Sequence, residues 1–236
     1  MLDIHSHFLP KMDDGAKTVE MSLEMLRLSK AQGVDTIVST SHFYADSEAP
    51  DSFLKRRAHA FKKIEPLLSP AHPSTILFGA EVYYFPGLSA SEEVAKLIVE
   101  GTDLILIEMP FEKWPTKIFQ ELHTFQSRFG LKVVLVHVER YLPIQKKAVF
   151  AEMLEHEFLI QCNAGAFVDR KTRKFALNLL KTGRLNFLGT DCHNLDTRKP
   201  NMGEAREIIE KKLGADAWRT FCEESEALLR SHLNAG

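Results

Sequence analysis

His5 and His7, one residue apart in LDIHSH, open the chain, and Asp191-Cys192-His193 repeats the same spacing near its other end. Between them His42, Glu81, Glu108 and His137 each follow a short apolar run. Imidazole nitrogens and carboxylate oxygens are donors for divalent cations, and alternate residues of an extended segment share a face, so H-x-H and D-x-H each present two donors together. Taken singly, each has a plainer reading. A histidine after a strand is commonly a satisfied loop or core residue, and a carboxylate inside LILIEMP or LFGAEVYY is commonly paired with arginine, because an unpaired one costs several kcal/mol to bury. Six strand ends carrying such residues make independent accidents improbable, and one metal cluster explains them together. Asp14 of the MDDG loop brings the set to nine, too many for one tetrahedral ion and suited to three ions with shared carboxylates and open, catalytic positions. Mixed nitrogen and oxygen donors without an obligatory thiolate favour Mn²⁺, Fe²⁺ or Zn²⁺ over Ca²⁺ or Mg²⁺.

The elements that must position these donors follow from periodicity. Short β-branched or leucine-rich runs at Leu2 to Ile4, Thr36 to Ser39, Thr75 to Phe78, Leu104 to Ile107, Lys132 to Val136, Phe158 to Cys162 and Asn186 to Leu188 read as seven strands. Amphipathic stretches fill the gaps, which is the alternation of a parallel α/β fold. In the first, Thr18 is the expected N-cap, Val19, Leu23 and Leu26 share a face, and Gly33 ends the helix. Phe53, Leu54, Phe61 and Ile64 pattern the second, Ile118, Leu122 and Phe125 the fourth before Gly130, and two more run from about Glu204 to Leu213 and Ala215 to Leu233. No linker or repeat divides the chain, so residues 1–236 are expected to form one domain, a seven-unit barrel or an open doubly wound sheet. In either, the carboxyl ends of the strands share one face, where the nine side chains should converge. His59, His72, His123, His156 and His232 fall elsewhere and receive no role.

Composition narrows the function. A net charge of −2 over 236 residues offers no broad basic surface, which argues against nucleic acid as partner. Cys162, Cys192 and Cys222 are odd in number and form no CxxC, so neither a disulfide framework nor a thiolate zinc site is expected, and a reducing cytoplasm is. No signal-like leader and no run of 18 apolar residues is present, so no transmembrane segment is expected.

The runs DIHSHFLPKMDDGAKT, TIVSTSHF, GAEVYY, LIEMP, VLVHVERY and TDCHNLDTRKPNM, in that order and spacing, resemble the protein-tyrosine phosphatases of the polymerase and histidinol phosphatase (PHP) superfamily found in bacterial capsule and exopolysaccharide operons. The resemblance spans nearly the whole chain. It implies a distorted (β/α)7 TIM-like barrel and a trinuclear centre, usually of manganese. Carried over, it implies one ion held by His5, His7, Glu81 and Asp191, a second by Glu81, Glu108 and His137, and a third by Asp14, His42 and His193. Arg140 of HVERY and Arg198 of NLDTRKP match the family's phosphate-binding arginines. The substrate implied is phosphotyrosine on a protein, the tyrosine-rich tail of a cytoplasmic kinase that controls polysaccharide assembly. Two alternatives are a small-molecule phosphatase of the same superfamily, acting on a substrate such as histidinol phosphate, and a non-catalytic metal-stabilised regulatory module. The chain departs from its relatives in TSHFYADSEAP after the second strand and in Cys192.

Two further features bear on mechanism. Cys192 to Arg198, CHNLDTR, has the C-x5-R spacing of thiol-dependent phosphatases, but its lack of glycine and its Asp196 are wrong for a phosphate cradle, and Cys192 should face away from Asp191 and His193. Tyr44, Tyr83, Tyr84 and Tyr141, with Phe43, Phe85, Phe111 and Trp114, all follow strand ends and read equally well as a substrate rim or as loop anchors.

Overall fold

In the computed structural model, which describes residues 1–115 and 117–233, the apolar runs form parallel strands: β1 (Leu2–Ser6), β2 (Thr36–Ser39), β3 (His42–Phe43), β4 (Thr75–Phe78), β5 (Glu81–Tyr83), β6 (Leu104–Glu108), β7 (Lys132–Leu135), β8 (Leu159–Asn163) and β9 (Phe187–Gly189). β2 and β3 are one strand interrupted at Thr40 and Ser41, and β4 and β5 are one interrupted at Gly79 and Ala80, so seven strand positions stand where the sequence puts them. The ladders run β1-β2-β4 and β3-β5-β6-β7-β8-β9. Gly79 N donates to Ser39 O at 2.8 Å and Glu81 N to Thr40 O at 3.1 Å across the interruptions. At the other edge Asp191 N donates to His5 O at 2.8 Å and His7 N to Cys192 O at 3.0 Å, which curls the sheet back on β1 as a (β/α)7 barrel of a single domain.

Helices α1 (Val19–Ala31), α2 (Pro50–Ile64), α3 (Ile118–Phe129), α4 (Lys147–Glu155), α5 (Gly165–Val168), α6 (Arg173–Lys181), α7 (Met202–Leu213) and α8 (Ala215–Ser231) follow. Thr18 caps α1 by accepting from Met21 N at 3.2 Å, and Gly33 takes a left-handed φ of 92° just beyond its end. The buried face of α1 is Ser22, Met25, Leu26 and Ser29, so Val19 and Leu23 lie at its edge rather than at its centre. Between β5 and β6 there is no α-helix among the described residues. Two single 3₁₀ turns, Leu88–Ala90 and Val94–Leu97, take its place after Pro86 and the left-handed Gly87, which corrects the expectation that a helix fills every gap.

Strand alternation sorts the core into two layers. Leu104 and Leu106 of β6 point into the barrel with Ile4, Val134, Val136 and Phe187, and Leu229 of α8 joins them. Ile105, Ile107, Val133 and Leu135 point outward against the helices. The next inward residue after Leu104 and Leu106 is Glu108, so a carboxylate caps two apolar rungs. On β1 the register with β2 shifts between Asp3 and Ser6, and this irregularity lets Ile4 and then His5 and His7 all face inward.

The seam between β9 and β1 tolerates only glycine at position 189, where a Cβ would lie 2.4 Å from His5 Cβ and 2.9 Å from Gln161 Nε2. Gly189→Ala is therefore expected to lose about 1–3 kcal/mol, a melting-temperature drop of roughly 3–10 °C. An unchanged thermal denaturation curve would show that the seam yields without cost.

Candidate metal centre

All nine candidate donors meet at the carboxyl ends of the strands. His5 and His7 come from β1 and its extension, Asp14 from the loop that follows, His42 from β3 and Glu81 from β5. Glu108 ends β6, His137 follows β7, and Asp191 and His193 follow β9. Seven of them are buried; His42 is partly covered, and Asp14 is exposed at the mouth. His5 Nε2 and His7 Nε2 are 3.1 Å apart, each lies 3.2 Å from Glu81 Oε2, and they stand 3.6 and 3.4 Å from Asp191 Oδ1. His137 Nε2 lies 2.8 Å from Glu81 Oε1 and 3.2 Å from Glu108 Oε1. Asp14 Oδ1 lies 3.4 Å from His42 Nε2 and 3.2 Å from His193 Nε2. The donors that lie mutually close form three groups: His5, His7, Glu81 and Asp191; His7, Asp14, His42 and His193; and His42, Glu81 and Glu108. The first is the one implied by the resemblance, whereas the other two share His7 and His42 differently, since His42 Nδ1 stands 2.9 Å from Glu81 Oε2, and His137 meets Glu81 and Glu108 pairwise.

These contacts are compatible with the spacing of a coordination shell, although some of them also serve as hydrogen bonds. Two ligands each about 2.1 Å from one ion sit roughly 3.0–3.4 Å apart, and the separations here, 2.8 to 3.6 Å, bracket that range. Glu81 Oε2, His42 Nδ1 and His193 Nε2 are buried without a partner in hydrogen-bond geometry, although nitrogens and oxygens crowd around them. A buried polar atom left this way is costly unless something else satisfies it. The donor set thus fits divalent cations.

Without ions, protons hold the cluster together. Burial alone would lower His137, but Glu108 and Glu81 outweigh it and raise its pKa to about 9. His42 and His7 are raised in the same way, against burial, by Glu81 and by Asp13 with Glu81 respectively. Burial would raise Glu81, yet His5, His137 and His42 hold it well below the usual carboxylate range. His193 goes the other way: burial, then His7 and Arg198, push it down to about 4 against the pull of Asp191, so its lone pair is free. His137 and Asp191 adopt left-handed backbone, φ 35° and 51°, a strain of order 1–3 kcal/mol each that is typical of residues held for function.

Several supporting residues escaped the sequence reading. Asp13, beside Asp14, accepts from His7 Nδ1 at 2.8 Å and from His42 N at 2.9 Å, which fixes Nε2 of His7 toward the cluster. The strand that supplies no donor, β8, supplies an amide relay. Gln161 Oε1 accepts from His137 N at 2.6 Å, Gln161 Nε2 donates to Asn163 Oδ1 at 3.0 Å, and Asn163 Nδ2 donates to Asp191 Oδ2 at 2.9 Å. The relay ties together His137 and Asp191, both with left-handed backbone. Gln161→Leu is expected to weaken metal affinity about 10- to 100-fold, read by competition with a chelator; wild-type affinity would mean that the relay orients nothing.

Arg140 and Arg198 stand over the open side of the cluster. Arg198 Nη2 donates to Asp191 Oδ1 at 2.8 Å, and Arg140 Nη1 lies 3.7 Å from Asp191 Oδ2 with its guanidinium 4.6 Å from the centre of the Phe111 ring. Of the aromatic residues, Tyr44 and Phe111 are exposed at the mouth with Tyr83 and Phe85 beside them, whereas Phe43, Tyr84, Tyr141 and Trp114 are buried anchors. The expected rim and the expected anchors are therefore both present, divided among the eight.

Cys192 packs with the core, its carbonyl bonded to His7, and burial pushes its thiol up to about 12. A protonated, 1% exposed thiol cannot serve as nucleophile at neutral pH. Cys192→Ser is expected to keep most activity with full metal content, and a trapped phosphocysteine would overturn this.

A model of the family described as "Capsular polysaccharide synthesis, CpsB/CapC" matches residues 1–230. The chain belongs to the CpsB/CapC family. Among curated CpsB/CapC-type relatives, tyrosine-protein phosphatase CpsB of Streptococcus agalactiae is 31% identical, the match covering 98% of this chain and 99% of that one. Tyrosine-protein phosphatase YwqE of Bacillus subtilis is 30% identical over 98% of this chain and 92% of its own. Among solved structures, one from work on YwqE of B. subtilis and CpsB of Streptococcus pneumoniae, described as unique metal-dependent tyrosine phosphatases, superposes with a TM-score of 0.83 at 28% identity, covering 98% of this chain and 95% of that one. Among the described residues of this CpsB/CapC chain no helix is long and apolar enough to cross a membrane.

Proposed function

We propose that this protein is a metal-dependent protein-tyrosine phosphatase whose residues 1–236 act as one PHP-type catalytic domain. The observation that carries the reading is the bowl of nine converging donors, with unpartnered buried lone pairs, beneath two arginines. The names of its full-length relatives support it. His5, His7, Glu81 and Asp191 would hold one ion, Glu81, Glu108 and His137 a second, and Asp14, His42 and His193 a third, with manganese the first choice and iron or zinc suited to the same donors. When bound, such ions supply Lewis-acid stabilisation of the phosphoryl oxygens and an acidified water as nucleophile.

The chain's own residues do the rest. Arg198 and Arg140, both more than a third exposed at the mouth, would grip the phosphoryl oxygens through planar, charge-assisted bonds. Most donors lie at the floor of the bowl, below the exposed Tyr44 and Phe111, so a long aryl phosphate reaches them while a phosphoserine would have to bring its backbone in. Phe111, 41% exposed, lies at the mouth against Arg140 and His137, where its exposed edge would meet the substrate ring. Phenolate, with a pKa near 10, leaves without a dedicated general acid. The free cysteines and the family's capsular description support a cytoplasmic enzyme acting on a phosphotyrosine protein of polysaccharide synthesis, a tyrosine kinase foremost.

The test is to strip the protein with chelator and refill it with Mn²⁺, Fe²⁺ or Zn²⁺, then compare phosphotyrosyl peptide, phosphoseryl peptide and histidinol phosphate. Restored turnover of the phosphotyrosyl peptide, best with Mn²⁺, is expected. Faster turnover of histidinol phosphate, or metal-dependent stabilisation with no turnover at all, would sink the reading.

A further inference from the structure

We propose that the cleft running from the mouth between Tyr44 and Tyr83 is a subsite for a lysine or arginine side chain adjacent to the substrate's phosphotyrosine. The proposal rests on the functional reading above and adds to it the sequence that the enzyme prefers. The cleft has a volume of about 360 Å³ and is lined by Tyr44, Tyr83, Phe85, Asp46, Glu112 and Pro110, among others. It opens directly off the bowl: the Tyr44 ring lies 5.6 Å from the ring of His42 and 5.6 Å from that of Tyr83. None of the nine candidate donors lines it.

Its chemistry is opposite to that of the arginine side. Among the described residues the lining carries two carboxylates and no cation, and neither Asp46 nor Glu112 has an ion-pair partner; Asp46 accepts only from Ser47 Oγ at 3.0 Å. Phosphate would be repelled there, so the phosphotyrosine itself belongs in the bowl and its neighbour in the cleft. Aromatic faces flanked by carboxylates favour a cation with an aliphatic stem, which stacks on the rings and meets the charges. An acidic neighbour meets like charge, and an apolar one gains nothing from Asp46 and Glu112. The mouth is thus polarised, with Arg140 and Arg198 for the phosphate on one side and Asp46 and Glu112 for the neighbouring side chain on the other. Buried Pro110 and exposed Pro86 and Pro115 stiffen the wall, so the cleft needs little ordering to receive its occupant.

The experiment uses Mn²⁺-loaded protein and three phosphotyrosyl peptides with Lys, Phe or Glu on both sides of the phosphotyrosine. It reads kcat/KM, and it also reads the anisotropy of the same peptides, fluorescently labelled and carrying a non-hydrolysable phosphonate. Lys over Glu by about tenfold in both readouts is expected, falling to near unity in a doubly charge-reversed Asp46→Lys, Glu112→Lys protein. Both positions are exposed, so the variant should fold, and circular dichroism checks that it does. Equal values for the three peptides, a preference for Phe, or a Lys preference that survives charge reversal would overturn the subsite. Lys-selective binding lost in the variant, with no turnover of any peptide, would keep the subsite and remove the phosphatase reading. Turnover without selectivity would do the reverse.

Discussion

Glu81→Gln is expected to lower turnover of an aryl phosphate by roughly a thousandfold or more while the protein still folds. Among the described residues Glu81 is the one carboxylate within 3.2 Å of four histidines, His5, His7, His42 and His137, and its two oxygens face different groups of donors. Glutamine keeps the volume but removes the charge and replaces one of the two oxygens by an amide NH2, which offers a cation no lone pair. Metal content measured on the purified variant should fall along with activity. His42→Ala and Glu108→Gln should show the same pattern at the edges of the cluster, because each removes a donor without opening the core. Wild-type metal content and activity in Glu81→Gln would refute the site.

The second large effect concerns the metal-free protein. Its buried carboxylates rely on protonated histidines, so removing the ions should lower the melting temperature and make stability depend on pH in a particular direction. The folded pKa of His137, about 9, lies above the ordinary histidine value. Its contribution is fully present below about 6.5, declines as pH rises through 9, and is on the order of 3 kcal/mol. Glu81 and Asp191 are depressed, so their contribution holds above the ordinary carboxylate value and is lost only in acid. His193, pushed down to about 4, works the other way, its cost fading as pH rises to about 6.5, so the chelated protein should be most stable near pH 6.5 and lose stability steadily toward pH 9. The metal-loaded protein should lose none over that alkaline range, since the ions replace the protons, and loading should release protons into the medium. Thermal scans with and without chelator from pH 5 to 9 decide the matter. Parallel curves for the two forms would show that the cluster does not hold protons in place of ions.

What could be seen in the sequence was whatever chemistry makes rare. A histidine or carboxylate at the end of an apolar run is conspicuous, so all nine candidate donors that converge could be named without coordinates, and their strands with them. Supporting residues are harder because their types are common. Asp13 differs from Asp14 only in which way a loop turns, and Gln161 and Asn163 gain their roles only when β8 lies between β7 and β9. The interruptions at Thr40–Ser41 and Gly79–Ala80 were invisible because periodicity reports faces and not the continuity of a ladder. The missing helix before β6 had a local signal, Pro86-Gly87, which the expectation of a regular repeat overrode. The burial of Tyr84, Tyr141 and Trp114 beside the exposed Tyr44 and Phe111 depends on loop packing that residue type does not encode.

The seam where β1 meets the segment after β9 joins residues that are nearly the whole chain apart, through the bonds of His5 and His7 to Asp191 and Cys192. During synthesis at ordinary rates, His5 and His7 would leave the ribosome roughly 10 to 40 seconds before Asp191 and His193 exist. Until then the first group of donors lacks a carboxylate and the third lacks an imidazole. Contacts so distant in sequence form late in folding, because closing the intervening loop costs entropy before any contact rewards it. Assembly of the full candidate donor set is thereby tied to the late closing of this seam, so a nascent or truncated chain that lacks Asp191 and His193 cannot present it.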